Sequence, residues 1–284
     1  MSSVRTIHRL YIGGAFSRAV SGRTFDVLGP DGALLASAAL AAGRDARDAV
    51  VAARAAFPGW SRTAGYDRGQ ALYRVAEVID DHRSQFAVQL CRSTGSTPDA
   101  AYAELEAAVD RWTWYAGWAD KITQVRGTVN PVAGAFGSVS VPEPVGVTAV
   151  LAPQDSALLG LVSVLAPVIV TGNTAVLVAS ERYPLLAMAF AEALAAAALP
   201  AGVVNVLTGE VAEISPWLAA HQDVNAIDLA GAPGALADDL AVAAAGNLKR
   251  LVGFVAPDWT AEPGLERMSA ALETKTIWHP LLSS

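Results

Sequence analysis

The sequence has one cysteine and few charges. Cys91 stands alone among 284 residues, which excludes an internal disulfide and any zinc site built on cysteine ligands. His8, His82, His221 and His279 are spread along the chain without metal-ligand spacing, so we predict no metal site. Charged residues make up 17 % of the chain, against about 25 % in an average protein. With so little charge, we expect part of the surface to be covered, for example by another subunit.

The sequence also lacks a basic stripe, a signal peptide and a membrane span. Its 20 basic and 27 acidic residues give a net charge of −7, which disfavours nucleic acid and anionic membranes as partners. The first residues, MSSVRTIHRLYIGG, contain no apolar segment of the kind that directs secretion. The longest uncharged apolar run, Ala157–Val170, is shorter than the roughly 20 residues that cross a bilayer. We therefore expect a cytoplasmic protein with no nucleic acid and no membrane among its partners.

The first part of the chain has the pattern of short strands followed by helices. Turn-rich strands are predicted within residues 10–40, and helical spacing begins at Arg44 and is expected to stop at Pro58-Gly59. Further helices are predicted at Tyr66–Ser93 and Ala100–Ile122. The last of these carries four aromatic residues, Trp112, Trp114, Tyr115 and Trp118. We interpret them as packing residues, because a base-stacking platform would have interleaved lysines and arginines.

From Val145 onward, strands and helices alternate. Strands are predicted at Val145–Leu151, Thr174–Val178, Val203–Leu207 and Ala226–Leu229, and helices at Leu158–Val170, Leu185–Ala198, Ile214–His221 and Pro233–Ala244. This alternation predicts βαβ units and an α/β fold with a doubly wound parallel sheet. The segment Gly127–Val141 has the weak alternation of a β-hairpin or arm, and Glu273–Trp278 is predicted to be a single strand.

Candidate ligand-binding residues lie in the turns that follow these strands. No GxGxxG follows the first strand of the α/β part, and the sequence contains no P-loop, no GxSxG and no HExxH. A ligand is therefore expected in the default place for a doubly wound sheet, the crevice at the carboxyl ends of the strands. Two interpretations of Glu181 remain open, an acceptor for ribose hydroxyls or a capping acid at a helix start. Asp155 is interpreted as the N-cap of the helix that follows it rather than as a general base. Cys91 is interpreted as a structural thiol, because neither a histidine nor a helix N-terminus lies beside it.

Seven segments resemble the aldehyde dehydrogenase family. They are Tyr11–Gly14, Ser21–Phe25, Ala52–Trp60, Tyr115–Ile122, Glu143–Val147, Gly172–Leu177 and Pro200–Val206, in matching order and spacing. The resemblance extends from Tyr11 to Arg250 and implies a Rossmann-like NAD(P)-binding domain, which we assign to residues 1–124 and 142–256. It also implies oligomerisation elements, a β-arm within residues 125–141 and a C-terminal strand within residues 270–280, which in the family pairs with a neighbouring subunit.

The sequence departs from the family pattern at positions that carry its chemistry. Asp155 occupies the place of the asparagine that donates to the oxyanion, and an ionised aspartate can only accept. Val178 replaces the lysine that binds the ribose, and Pro233 removes an amide donor from the turn that faces the pyrophosphate. Phe254 stands near the general-base glutamate, and no cysteine follows Arg250. We therefore expect that the catalytic domain, with its nucleophile, is absent.

These departures predict a pseudoenzyme with no catalytic residues of its own. Ser180, Glu181 and Gly231 are the candidate remnants of a cofactor site, and we expect NAD(P) to bind weakly rather than tightly. The resemblance implies a structural or regulatory subunit, paired with a full-length aldehyde dehydrogenase or with itself, as in the non-catalytic C-terminal module of two-module aldehyde dehydrogenases. Two alternatives stay open: a dinucleotide-binding regulatory module, and an NAD(P)-dependent aldehyde oxidoreductase that is active only with a partner chain.

Overall fold

Five short strands open the chain in the computed structural model, which describes residues 6–253 and 257–281. They are β1 (Ile7–His8), β2 (Leu10–Ile12), β3 (Ala15–Ser17), β4 (Thr24–Leu28) and β5 (Leu34–Ala39). β2 and β3 form an antiparallel hairpin whose turn, Gly13-Gly14, has positive φ at both residues, as a tight two-residue turn requires. β1, β5 and β4 form a separate three-stranded sheet.

Four helices follow, and each of the three helices predicted here has bounds that differ from its prediction. They are α1 (Gly43–Arg62), α2 (Gly65–Asp81), α3 (Arg83–Thr94) and α4 (Pro98–Ala116). α1 continues past Pro58 because Trp60 is buried and donates from Nε1 to the carbonyl of Ile169 at 2.9 Å, which anchors the last turn. The single helix predicted at Tyr66–Ser93 is divided in two at His82. The backbone N–H of His82 donates to carbonyls in the last turn of α2 and so ends that helix.

The aromatic residues of α4 are packing residues, as predicted. Trp112 is fully buried, its ring lies 5.0 Å from that of Phe190, and its Nε1 donates to the carbonyl of Leu72 at 2.8 Å. α4 ends at Ala116 rather than Ile122, and the chain then forms the short helix α5 (Ile122–Arg126), β6 (Thr128–Asn130) and β7 (Phe136–Pro144). β6 and β7 occupy the segment predicted as the β-arm.

The rest of the chain forms a doubly wound α/β unit, which confirms the predicted fold class. Its elements are β8 (Val147–Leu151), α6 (Leu159–Val170), β9 (Thr174–Val178), α7 (Pro184–Ala196), β10 (Val204–Leu207), α8 (Val211–Ala220), β11 (Ala226–Asp228), α9 (Gly234–Ala245) and β12 (Arg250–Val252). They are followed by α10 (Glu266–Ala270) and by β13 (Leu272–Pro280), which lies in a different sheet. Strands β12-β11-β8-β9-β10 are parallel neighbours, and the hairpin β2-β3 continues the sheet antiparallel to β10.

Two apolar cores cover the two faces of this sheet. Along β9, Ala175 and Leu177 pack in one core, whereas Val176 and Val178 pack in the other, as the two-residue period of a strand dictates. The strands are buried on both faces, which explains their continuous apolar runs. Across residues 6–253 and 257–281, no helix is both long enough and apolar enough to cross a membrane.

The order of the strands fixes where a ligand can bind. From β8 the chain moves to β9 and β10 on one side, and then returns to place β11 and β12 on the other side of β8. A crevice opens at such a switch point, outside the carboxyl ends of the strands. The turns after β8, β9 and β11 therefore meet at one end of the sheet.

The C-terminal strand pairs within its own chain. β13 lies antiparallel to β7 over nine residues, from Leu272 opposite Pro144 to Pro280 opposite Phe136, and β6 pairs with the other edge of β7. We call this three-stranded unit, β13-β7-β6, the arm sheet. One edge of β13 is thus occupied by β7 of the same chain, so the expected pairing with a neighbouring subunit could use only the other edge. β13 is also longer than the predicted strand Glu273–Trp278. The outer edge of β13 pairs with no described strand.

Candidate functional site

A cleft of 430 Å³ lies at the carboxyl end of the sheet, where the topology predicts one. We call it the carboxyl-end cleft. It is lined by the turns after β8, β9 and β11, by the start of α8 and by the segment after β12, with the residues Gln154, Asp155, Glu181, Arg182, Val211, Ala230, Gly231, Ala232, Pro233, Pro257 and Trp259. Two of the three predicted cofactor residues, Glu181 and Gly231, line it, and Ser180 lies directly beside Glu181.

Glu181 acts as a capping acid, although not for its own helix. Its Oε1 accepts a hydrogen bond of 2.6 Å from the N–H of Val211, the first residue of α8. A carboxylate at this place satisfies an amide that has no partner within the helix and complements the helix dipole. The contact supports the capping interpretation, and it leaves Oε2 as the carboxylate oxygen available to a ligand.

Ser180 is held by a residue that the sequence did not single out. Its hydroxyl donates to Oε1 of Gln154 at 3.0 Å, and the same oxygen accepts the N–H of Glu181 at 3.0 Å. Ser180 is buried. Gln154 therefore ties the turn after β8 to the turn after β9. No sequence motif marks this role, because it depends on two turns that the sheet brings together.

Gly231 is required by close backbone packing. A Cβ at this position would lie 2.1 Å from the carbonyl oxygen of Ala152, at the end of β8. Only glycine allows the turn after β11 to approach β8 so closely. The structure thus gives Gly231 a packing role, and its proposed role towards a cofactor stays a prediction.

Asp155 does not cap the helix that follows it, so that prediction is wrong. Its Oδ1 accepts from Nε1 of Trp259 at 3.1 Å. The start of α6 is capped instead by Ser156, whose Oγ accepts from the N–H of Gly160 at 2.8 Å, and by Glu104 of α4, whose Oε1 accepts from the N–H of Leu158 at 2.8 Å. A residue distant in sequence provides part of this cap, which local patterns do not reveal.

The segment before β13 closes one side of the cleft through a buried ion pair. Arg267 pairs with Asp228 at the end of β11, and its guanidinium lies 5.4 Å from the ring centre of Trp259. Burial raises the pKa of the Asp228 carboxyl, while the guanidinium of Arg267 and the N–H of Ala230 oppose that rise. Arg111 of α4 donates to the carbonyl of Trp259 at 3.0 Å. The segment is therefore held at Trp259 by α4 and at Arg267 by β11. None of these four groups was predicted from the sequence.

Three features of this cleft bear on the prediction that NAD(P) binds weakly, which stays a prediction. Val178, at the place of the family's ribose-binding lysine, is fully buried in the core. Pro233 is the N-cap of α9 and has no N–H. One oxygen of Glu181 is already bonded, and Asp155 adds a second acid to the lining. Phe254, predicted at the general-base position, lies outside the described residues.

Among the described residues, no cysteine, serine, threonine or lysine lines the cleft. Cys91 lies on α3, half-buried against the core, and does not line the cleft. No cluster of three or more His, Cys, Asp or Glu residues could hold a metal ion among the residues described. The cleft offers two carboxylates and the guanidinium of Arg182 as groups that can form hydrogen bonds with a ligand.

Comparison with known proteins gives a consistent family. The model of the Aldehyde dehydrogenase family matches residues 16–253. The cytosolic 10-formyltetrahydrofolate dehydrogenase of Pongo abelii is 32% identical over 237 residues, which is 81% of this chain and 26% of that protein. The mitochondrial aldehyde dehydrogenase family 2 member B4 of Arabidopsis thaliana is 33% identical over 252 residues, 87% of this chain and 46% of that protein.

A solved structure shows the same fold. PnpE in complex with nicotinamide adenine dinucleotide has a TM-score of 0.81 and 32% identity, and the match covers 86% of this chain and 50% of PnpE. The chain thus spans half or less of the length of each of these relatives. With the family model matched over most of its length and the doubly wound sheet in place, the chain belongs to the aldehyde dehydrogenase family.

Proposed function

We propose that this chain is a non-catalytic subunit of an aldehyde dehydrogenase-type oligomer. Its partner is a full-length aldehyde dehydrogenase or a second copy of itself, and its role is structural or regulatory. The observation that carries the proposal is the arm sheet, which combines an open strand edge with an exposed apolar row. Both features are of the kind that bind another polypeptide.

The apolar row crosses all three strands of the arm sheet. Val129, Val139 and Ile277 are direct cross-strand partners, so their side chains lie on the same face. Val129 is 78% exposed and Val139 is 38% exposed. On the other face, Asn130 donates from Nδ2 to the hydroxyls of Ser138 and Ser140, which are buried. The same face also carries the exposed rings of Phe136 and Trp278, whose centres lie 6.3 Å apart, so apolar side chains are exposed on both faces of the arm sheet.

The outer edge of β13 adds backbone groups to this surface. A sheet edge of nine residues exposes unpaired N–H and C=O groups, which natural proteins usually cover or pair. The ion pair of Lys275 with Glu143, at 3.1 Å, lies at the polar end of the same face as the apolar row. A partner strand that extends the sheet here would lie beside Ile277, and a partner surface packed on this face would bury the whole row Val129–Val139–Ile277.

The non-catalytic part of the proposal rests on the carboxyl-end cleft. Asp155 stands where an oxyanion needs a donor, and the indole of Trp259 already bonds to it. β13 follows β12 after residues 253–271 alone, so the catalytic domain that the family resemblance places between them has no room there. We infer that the chain by itself oxidises no aldehyde.

A weak dinucleotide-binding regulatory module is the second candidate. It is favoured by the cleft at the switch point and by the free Oε2 of Glu181, and PnpE has been solved with the dinucleotide. An oxidoreductase that becomes active only with a partner chain is compatible with the same association. A cytoplasmic location agrees with the cytosolic Pongo abelii relative, but the Arabidopsis relative is mitochondrial, so the location stays a prediction.

Native mass spectrometry after co-expression with a full-length aldehyde dehydrogenase from the same genome tests the proposal. We expect oligomers that contain this chain, either alone or mixed with the dehydrogenase, and no NAD(P)-dependent aldehyde oxidation by this chain in isolation. A chain that stays monomeric in both preparations would contradict the subunit role. Turnover by the isolated chain that is lost in Cys91→Ala would contradict its non-catalytic character. Micromolar NAD binding without any association would favour the second candidate.

A further inference from the structure

A second cleft lies at the other end of α8, away from the carboxyl-end cleft. It has a volume of 470 Å³ and is formed by the first turns of α1 and the end of α8, and we call it the α1–α8 cleft. Sites for small molecules commonly measure about 300–1,000 Å³. α8 has ten residues and is therefore about 15 Å long, at a rise of about 1.5 Å per residue. The two clefts lie at opposite ends of this helix.

Trp217 forms one wall of the α1–α8 cleft. Its side chain is 62% exposed, yet its ring is held against the backbone of α1. A Cβ at Gly43 would lie 2.5 Å from Cε2 of this indole, so glycine allows the ring to rest directly on the helix. The contact fixes the orientation of the indole and leaves much of its surface in contact with solvent. A positioned, exposed indole is a suitable platform for a planar ring.

Two free arginines lie beside this indole. Arg44 and Arg47 line the cleft and are exposed, and neither forms a hydrogen bond or an ion pair through its side chain within the described residues. None of the described residues that line the cleft is acidic. In a chain with a net charge of −7, this is a local concentration of unpaired positive charge around a hollow.

His221 completes the lining as a neutral donor. Its Nδ1 accepts the N–H of Asp223 at 3.1 Å, which leaves the proton of the neutral ring on Nε2. Burial lowers the pKa of His221 and so does the positive charge of Lys249, Arg47 and Arg54, whereas the nearby Asp223 opposes the shift. Lys249 itself is engaged, since its Nζ donates to the carbonyl of His221 at 2.8 Å. The free cations of the cleft are therefore the two arginines.

We propose that the α1–α8 cleft binds a planar aromatic molecule that carries an anionic group. The ring stacks on Trp217, and the anion lies between Arg44 and Arg47. Guanidinium groups bind carboxylates and phosphates through paired hydrogen bonds and suit both. A nucleoside monophosphate and an aromatic carboxylate share this chemistry, and the experiment below distinguishes them.

Calorimetric titration of the full chain with AMP and with benzoate tests the site. Adenosine and benzamide serve as probes without the charge, and inorganic phosphate as a probe without the ring. We expect AMP or benzoate to bind at least about tenfold more tightly than its uncharged analogue and than phosphate. Trp217→Ala and Arg47→Gln should each weaken that binding at least about tenfold. Arg182→Gln, a matched change in the carboxyl-end cleft, should leave it unchanged.

Each outcome has a defined meaning. Binding of AMP without benzoate assigns a nucleotide, and the converse assigns an aromatic acid. No binding of either, equal binding of phosphate alone, or a loss with Arg182→Gln as large as with Arg47→Gln would overturn the proposal. Arg47 is exposed, so its substitution tests the site even where Trp217→Ala perturbs the packing on Gly43.

Discussion

Glu181 shows how a single side chain can serve a neighbouring helix. By position, Glu210 is the N-cap of α8, but its side chain makes no capping hydrogen bond. Glu181 supplies the acceptor from the end of β9, 30 positions earlier. The sequence marks both acids equally well, and only the fold decides which of them reaches the amide of Val211.

A pair of alanine variants separates these two acids. Glu181→Ala should lower the free energy of unfolding by about 1 kcal/mol, because a helix-capping acceptor is lost. Glu210→Ala should change it by less than about 0.5 kcal/mol, as expected for an exposed residue without a bond. Urea denaturation followed by circular dichroism measures both values. Equal effects of the two variants would argue against the capping role of Glu181.

The ion pair of Asp228 and Arg267 makes a pH-dependent contribution to stability. Arg267→Met leaves a buried carboxylate without its partner and should cost about 3–5 kcal/mol at pH 7.5. Burial already raises the pKa of Asp228, and loss of the guanidinium raises it further. In the unfolded state, the pKa of an aspartate is about 3.9. A carboxyl whose pKa is higher than this in the folded state stabilises the fold at low pH, and this stabilisation is lost as the pH rises.

The loss caused by Arg267→Met should therefore be smaller at pH 4.5 than at pH 7.5. Denaturant titrations of the wild type and the variant at both pH values measure the difference. As a control, the double variant with Asp228→Asn should show a loss that does not depend on pH between these values. A loss of the same size at both pH values in the single variant would refute this account of the pair.

Individual helices and strands were predictable where local pattern and tertiary packing agree. β9 has the predicted bounds Thr174–Val178, because its β-branched run is bounded by turn residues and buried on both faces. α1 exceeded its prediction because the burial of Trp60 outweighs the helix-breaking effect of Pro58. The break at His82 was missed because apolar spacing continues through it, from Val75 and Ile79 to Phe86.

The site was less predictable than the fold, for a related reason. Sequence pattern located the turns and therefore Glu181 and Gly231, but their contacts come from other turns and helices. Gln154, Trp259 and Arg267 act through partners between 26 and 104 positions away. No local periodicity encodes such contacts, so the sequence indicated where the cleft lies and not how it is closed.

Removal of β13 tests the strand as a unit. A chain that lacks residues 273–284 should lose its oligomeric mass or aggregate, because β7 is left with an unpaired apolar edge. The parallel sheet should still fold, since its two cores involve other strands and helices. Light scattering and far-ultraviolet circular dichroism measure the two effects. A deleted chain that keeps both its mass and its solubility would contradict the role of β13.

The molecule as a unit joins a buried α/β core to a small sheet with an open edge. The core has two filled apolar faces, and among the described residues the carboxyl-end cleft is lined by no cysteine, serine, threonine or lysine. Apolar surface is instead left exposed on the arm sheet. The proposed function of the chain, association with another subunit, rests on this exposed surface.

Two matched lysine substitutions test this account most directly. Val129 on the arm sheet and Val242 on α9 are 78% and 77% exposed, so a lysine at either site has similar access to water. We predict that the wild type has a light-scattering mass above the 29.3 kDa of one chain, that Val129→Lys reduces it to one chain, and that Val242→Lys does not. A monomeric wild type in the presence of full-length dehydrogenase, or the same mass for both variants, would contradict association through the arm sheet.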